Sequence, residues 1–265
     1  MSGKTLRLKR FMTRGDGRIV ILPLDHGVSC GPIAGLTRME RTIAMGAEGG
    51  ADALVLHKGM LRHLEPIDRP LPGVFLHLSA STQLGPSFHS KVTVGTVEEA
   101  LRRGADGVSM HINLGDSREP DMLRDLGAMG AACADWHLPL LVMAYVRGSH
   151  APSLVPDAAI AHAARIAAEL GADIVKIPPP ADLDVMAAIA AGASVPVVVA
   201  GGSRKLAAPE CLAQMERYLA AGARGVAVGR NVFQHENPGA FLQAIVQIVH
   251  EGRSAEEARA TLGTP

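Results

Sequence analysis

The phrase Gly-Ala-Asp occurs at 50–52, 104–106 and 171–173, and each time an apolar run follows at once. Gly222-Ala223-Arg224 repeats the phrase with one change. A glycine adopts the left-handed conformation that ends a helix at the least cost. Each phrase therefore reads as a helix stop that launches a strand. The runs so launched are Ala53-Leu54-Val55-Leu56-His57-Lys58, Gly107-Val108-Ser109-Met110-His111, Ile174-Val175-Lys176 and Gly225-Val226-Ala227-Val228-Gly229-Arg230. Four more apolar runs, at 18–24, 73–78, 139–145 and 195–200, bring the predicted strands to eight. Helical stretches near 37–49, 97–103, 119–135, 157–170, 181–192, 207–221 and 238–249 alternate with them. Eight βα units in 265 residues predict a single-domain (β/α)8 TIM barrel. A doubly wound open sheet is the alternative. Residues 1–17 are expected to cross the barrel bottom as an N-terminal extension. The polar segment 79–96 reads as a lid or rim loop.

Charge and composition narrow the function. There are 26 basic and 26 acidic residues, so no electrostatic surface for nucleic acid or a membrane is expected. The three cysteines, Cys30, Cys133 and Cys211, have no C-x-x-C spacing and suit a reducing compartment. The N-terminus is basic without a following apolar stretch, and no run approaches a membrane span. A cytoplasmic location is the expectation.

In such a barrel the chemistry sits at the C-terminal ends of the strands. Those ends are polar here, while the strand bodies are apolar: Asp25-His26-Gly27, His57-Lys58-Gly59, His77, His111, Tyr145-Val146-Arg147, Lys176, Gly201-Gly202-Ser203 and Gly229-Arg230. Lys176 is the telling member. A lysine that ends a buried strand is costly unless used, and desolvation favours the neutral amine that attacks a ketone. A lysine snorkelling to the surface is the bland alternative. Imine chemistry also needs acid–base groups, and Asp25 and Tyr145 stand at matching heights. Lys58 reads either as a second cation near the amine or as a rim lysine without a task. Gly201 and Gly202 let a backbone approach an anion, and Gly229-Arg230 adds a helix start and a cation, the outline of a phosphate grip. A rival reading has three of His26, His57, His77 and His111 bind Zn²⁺. It ranks lower, because neighbouring strand residues point to opposite sides. The expected metal set is therefore none.

At these residues the chain resembles the class I aldolases of the archaeal fructose-bisphosphate aldolase type, and within them the 2-amino-3,7-dideoxy-D-threo-hept-6-ulosonate synthases. The shared motifs run almost end to end: Pro23-Leu24-Asp25-His26-Gly27-Val28-Ser29, Leu56-His57-Lys58-Gly59, Tyr145 with Arg147-Gly148, Ala172-Asp173-Ile174-Val175-Lys176, Val199-Ala200-Gly201-Gly202 and Val228-Gly229-Arg230-Asn231. The resemblance implies that Lys176 forms the Schiff base, with Asp25 and Tyr145 as proton carriers. It implies phosphate binding at Gly201, Gly202, Gly229 and Arg230. His26, Lys58, Arg147 and Ser203 complete the expected substrate-binding set. It further implies no cofactor, phosphorylated sugar and aldehyde substrates, and a homo-oligomer of pentameric rings or a decamer. The implied reaction joins a fragment of a ketose phosphate to aspartate semialdehyde. The alternatives are a fructose-bisphosphate aldolase, an aldolase of aminohydroxybenzoate formation using dihydroxyacetone phosphate, and a non-enzymatic phosphosugar-binding regulatory barrel. Met143 stands where the fructose-bisphosphate aldolases tend to carry tryptophan, which favours the synthases. Ile177-Pro178-Pro179-Pro180 departs from the family pattern beside the lysine.

Overall fold

In a computed structural model, residues 2–202 and 206–262 are described. The strands are β1 (Ile19–Pro23), β2 (Ala53–Leu56), β3 (Gly73–His77), β4 (Ser79–Ala80), β5 (Val92–Thr93), β6 (Gly107–Leu114), β7 (Leu140–Val146), β8 (Ile174–Ile177), β9 (Val197–Ala200) and β10 (Gly225–Ala227). Eight of them close a parallel barrel in the order β1-β10-β9-β8-β7-β6-β3-β2. Helices Met39–Glu48, Val97–Arg102, Glu119–Asp135, Asp157–Glu169, Leu183–Gly192, Ala208–Ala220 and Pro238–Glu251 connect successive strands or follow the last one. Between β2 and β3 the connection is only a 3₁₀ helix, Lys58–His63. Among the described residues no helix is long and apolar enough to cross a membrane.

The recurring phrase works as a clamp. Its glycines, Gly50, Gly104, Gly171 and Gly222, all have φ between 76° and 102°. The following alanine N–H then caps a carbonyl of the helix just ended, as Ala172 does to Ala167. The aspartate bonds the neighbouring strand twice. Asp52 N–H donates to the Val20 carbonyl, and its carboxylate accepts from Val20 N–H at 2.6 Å. Asp106 does the same to Val74, with the carboxylate bond at 3.0 Å, and Asp173 to Leu140 at 2.8 Å. The clamps thus join β1 to β2, β3 to β6 and β7 to β8. At the fourth place Arg224 keeps the backbone bond, to Val197, and has no carboxylate to offer.

Side chains alternate along each strand. Ile21, Val55, Phe75, Leu141, Met143, Ile174, Val198 and Ala227 fill the barrel interior. Leu22, Leu54, Val108, Val142, Val175 and Val226 pack outward under the helices. The N-terminal segment closes the lower end: Phe11 is fully buried and stacks on Phe75 with ring centroids 3.9 Å apart. Segment 79–96 is more ordered than a bare rim loop. It folds back as the antiparallel pair β4–β5, with Ser79 opposite Thr93 and Ala80 opposite Val92. Its tip is pinned by Ser29, whose carbonyl accepts from Gln83 N–H, and by Asn113, whose amide donates to the His89 carbonyl at 2.7 Å.

Candidate active site

The alternation that fills the barrel carries on past the strand ends and decides which polar groups face a common cavity. On β1 the inward series Ile19, Ile21, Pro23 reaches Asp25. On β7 it reaches Tyr145 and then Arg147, on β8 Lys176, and on β6 His111 and Asn113. These residues line a cavity of about 600 Å³ at the C-terminal end of the barrel. His26, Gly201, Gly202, Gly229 and Arg230 line it too. Ser203 lies outside the described residues.

Lys176 is 7% exposed, and its register partner across the β7–β8 ladder is Met143. Its Nζ lies 4.0 Å from the Met143 sulfur, a weak acceptor. Among the described residues no carboxylate lies within ion-pair distance of that amine. Asp25 sits just before the short helix His26–Cys30. Burial opposes ionisation of its carboxyl, but the fields of His77, His26, Lys176 and His57 outweigh burial and hold it well below the usual carboxylate range. The carboxylate oxygens lie 3.8 Å from His77 Nε2 and 3.9 Å from His26 Nδ1. Burial pushes the His77 imidazole down to about 4, against the pull of Asp25. The same cause lowers His26 and His57. Three imidazoles of lowered pKa thus surround the Asp25 carboxylate, and it is their protonated forms, with Lys176, that keep it ionised into acid. His26 Nδ1 is buried without a hydrogen-bond partner among the described residues.

Among the described residues Tyr145 is held by stacking neighbours rather than by a hydrogen bond. The Arg147 guanidinium lies over its ring at 4.0 Å, and the His111 ring is 4.9 Å away. His111 is itself tied to Asn113 at 2.9 Å, and burial, with the nearby Lys91 and Arg147, keeps it well below its ordinary pKa.

The anion grip has a narrower basis than expected. Helix Arg230–Phe233 has only four residues and contributes little dipole. What remains is backbone and one cation. Gly202 has φ +79°, and Asn231 donates to the Gly201 carbonyl at 2.9 Å, which orients that turn. A Cβ on Gly229 would stand 2.8 Å from His26 Cε1 and 2.9 Å from the Pro23 carbonyl, so only glycine lets this turn pack against β1. Arg230 is exposed at the mouth.

One predicted site residue falls elsewhere. Lys58 follows the inward His57 and so points outward, where its Nζ pairs with Glu99 at 2.7 Å. The cation that enters the cavity is Lys91, from the β4–β5 hairpin, 9% exposed and bonded to Ser81 Oγ at 2.6 Å. Its one signal in the sequence is that it is the sole lysine of segment 79–96. Asn113, on the same strand face as His111, also lines the cavity. His26, His57, His77 and His111 do gather near one end, but among the described residues no three His, Cys, Asp or Glu side chains are placed to hold a metal ion. Of the three prolines after Lys176, Pro178 and Pro179 line the cavity, and the Pro180 carbonyl accepts from Tyr218 Oη at 2.7 Å.

Comparison with known proteins agrees with this arrangement. Residues 19–235 match the family described as DeoC/LacD family aldolase. A 2-amino-4,5-dihydroxy-6-oxo-7-(phosphonooxy)heptanoate synthase of Streptomyces griseus is 40% identical over 98% of this chain and 95% of its own. A 2-amino-3,7-dideoxy-D-threo-hept-6-ulosonate synthase of Halobacterium salinarum is 40% identical over 99% of this chain and 97% of its own. A solved archaeal fructose-1,6-bisphosphate aldolase, with its catalytic lysine covalently bound to the carbinolamine intermediate of its substrate, superposes with a TM-score of 0.83. It is 30% identical and covers 94% of this chain and 100% of its own. This chain belongs to the DeoC/LacD family of aldolases.

Proposed function

We propose that the protein is a class I aldolase that joins a three-carbon ketone donor to aspartate semialdehyde through an imine on Lys176. The carrying observation is a buried lysine, without a carboxylate partner among the described residues, facing an ionised Asp25 and the Tyr145 phenol in one cavity. The products named for the two relatives support the substrate assignment. Both are seven-carbon 2-amino acids with a ketone at carbon 6. Reversing an aldol addition of either cleaves between carbons 4 and 5, next to that ketone. The four-carbon half is then aspartate semialdehyde in both cases. The three-carbon halves differ only at carbon 7, which carries a phosphate in the Streptomyces product and a hydrogen in the Halobacterium product.

In this reading Lys176 attacks the donor ketone and Asp25 moves protons as the carbinolamine loses water. The iminium acidifies the adjacent carbon, Asp25 takes its proton, and the enamine so formed attacks the acceptor aldehyde; water then hydrolyses the product imine and frees Lys176. Tyr145 protonates the new alkoxide. His26, which lines the cavity beside Asp25 and near Arg230, contacts the donor through the exposed part of its ring. The Gly201–Gly202 and Gly229–Arg230 turns hold the phosphate of a phosphorylated donor. This grip favours dihydroxyacetone phosphate, or a ketose phosphate that supplies the fragment. The family resemblance supports a homo-oligomer of pentameric rings, and the three cysteines suit a reducing compartment such as the cytoplasm. Sedimentation velocity of the purified protein reads the assembly directly.

Borohydride added with dihydroxyacetone phosphate should fix one reduced donor on Lys176, found by peptide mass spectrometry. Lys176→Met should abolish the adduct and all turnover. An unmodified Lys176 in the wild-type protein, under conditions where it turns over, refutes the imine.

A further inference from the structure

Two groups of positive charge stand on opposite sides of Lys176. Going round the barrel from β8 one way, β9 and β10 bring Gly201, Gly202 and Arg230. Going the other way, β7 brings Arg147, and the β4–β5 hairpin, which lies between β3 and β6 in the chain, brings Lys91. The outermost histidines feel different cations, while His77 between them feels both Lys91 and Lys176. The cations acting on His111 and His89 are Arg147 and Lys91. Those acting on His26 are Lys176 and Arg230.

The Lys91 side is held in place without an ion pair: burial and Arg147 lower the pKa of Lys91, and Asp25 opposes them only from beyond salt-bridge distance. Lys91 is 9% exposed, and among the described residues its Nζ bonds only a hydroxyl, Ser81 Oγ, at 2.6 Å. That hydroxyl spends its own proton on the Phe88 carbonyl at 2.5 Å, so it can only accept from Lys91. The ring of Phe88 lies 5.2 Å from Nζ. Ser90 bonds Asp116 at 2.6 Å and Asn113 bonds the His89 carbonyl, so the segment carrying Lys91 is fastened on both sides. Arg147 is half-buried and stacked on Tyr145. Among the described residues neither Lys91 nor Arg147 has a carboxylate within ion-pair distance. Keeping a buried ammonium without a counter-charge is costly, so an anion entering the cavity is worth more there than at the surface.

We infer that Lys91, with Arg147, is the acceptor-side anion site, and that it selects an aldehyde carrying a carboxylate at the end remote from its carbonyl. The inference rests on the proposed imine at Lys176, because that bond fixes which side of the cavity is left for the second substrate. It makes Lys91 a positioning residue: it touches the substrate at its far end and sets where the aldehyde carbon lies relative to the bound donor.

Kinetics with two acceptors test it, using aspartate semialdehyde and the neutral four-carbon aldehyde butanal, with dihydroxyacetone phosphate as donor. Lys91→Met keeps the stem and removes the charge. It should raise KM for aspartate semialdehyde by about 10–100-fold, the size expected for losing one charge-assisted hydrogen bond. Turnover of butanal, which has no carboxylate to contact Lys91, should change by no more than about twofold. Lys91→Arg should recover most of the lost affinity. Borohydride trapping of the donor on Lys176 should be equal in wild type and Lys91→Met. Equal losses with both aldehydes, or no loss with either, overturns the assignment of Lys91 while trapping shows the imine intact. Failure of trapping in the wild type instead overturns the reaction on which it rests.

Discussion

His77 faces Asp25 across 3.8 Å through Nε2 while its Nδ1 lies 2.7 Å from the Ser109 hydroxyl. The imidazole is thus oriented toward the carboxylate, yet burial pushes it down to about 4 and keeps it neutral at physiological pH. The consequence for stability has a definite sign. An unfolded histidine takes up its proton near 6.5, about 2.5 pH units before the folded one. Folding stability from this group is full above the unfolded value and is lost as pH falls toward the folded value, by on the order of 3 kcal/mol. Between pH 6.5 and 4.5, His77→Gln should therefore flatten the fall of denaturation midpoint with acid. Parallel curves for the two proteins would refute it.

His250, at the other end of the barrel, should behave oppositely. It bridges Asp16 at 2.7 Å and Asp52 at 2.8 Å. Burial opposes its charge, but the hydrogen bonds and fields of the two carboxylates prevail and raise its pKa. Its stabilisation is complete below the unfolded value near 6.5 and fades as pH rises through the raised folded value. Removing one partner of a buried pair costs about 3–5 kcal/mol. The deficit of His250→Gln relative to wild type should be greatest near pH 6 and shrink toward pH 9, as followed by urea unfolding.

The sequence reveals some of these features and hides others. The Gly-Ala-Asp phrase revealed the barrel because its glycine and aspartate have separate local duties, a left-handed helix stop and a clamp on the neighbouring strand. Lys176, Asp25 and Tyr145 were legible because strand period and strand end together place a side chain without knowledge of distant contacts. Lys58 misled because its motif drew attention before its parity was applied: His57 faces inward, so Lys58 cannot. Lys91 escaped notice for a different reason. Its place depends on hairpin pairing and on bonds to Ser29, Asn113 and Asp116, contacts that no local pattern encodes.

Lys58→Ala provides a direct check of that correction. The pair with Glu99 is partly exposed, with the lysine side chain at 40%. Such pairs contribute about 0–1 kcal/mol, so stability should scarcely move. With the side chain outside the cavity, kcat/KM should stay within about threefold of wild type, a difference of less than 1 kcal/mol. A loss of two orders of magnitude would return Lys58 to the active site.

Stability and chemistry should separate at opposite ends of the barrel. Phe11 is fully buried against Phe75, on the interior side away from the cavity. Phe11→Ala should cost about 3–5 kcal/mol through lost contact and a residual void. Because the polar groups at the upper end are positioned by β-strand register and not by this plug, KM at 20 °C should remain near that of wild type. A large rise in KM without a fall in unfolding midpoint would contradict this separation.

The cysteines should react unequally, and the reactive one should report on the cavity. Burial pushes the Cys133 thiol up to about 12 and the Cys211 thiol up to about 11, the latter against a hydrogen bond from Asn231. Thiolate is the attacking form, so both should resist alkylation in the folded protein. Cys30 is partly exposed and lines the cavity near its mouth. Native treatment with iodoacetamide at pH 8 should therefore add one equivalent, on Cys30. Dihydroxyacetone phosphate, by filling the cavity, should slow that addition, while a neutral sugar without phosphate should not. Peptide mass spectrometry over time follows each site. Labelling of Cys133 or Cys211 at the rate of Cys30 would show that the folded barrel does not shield them.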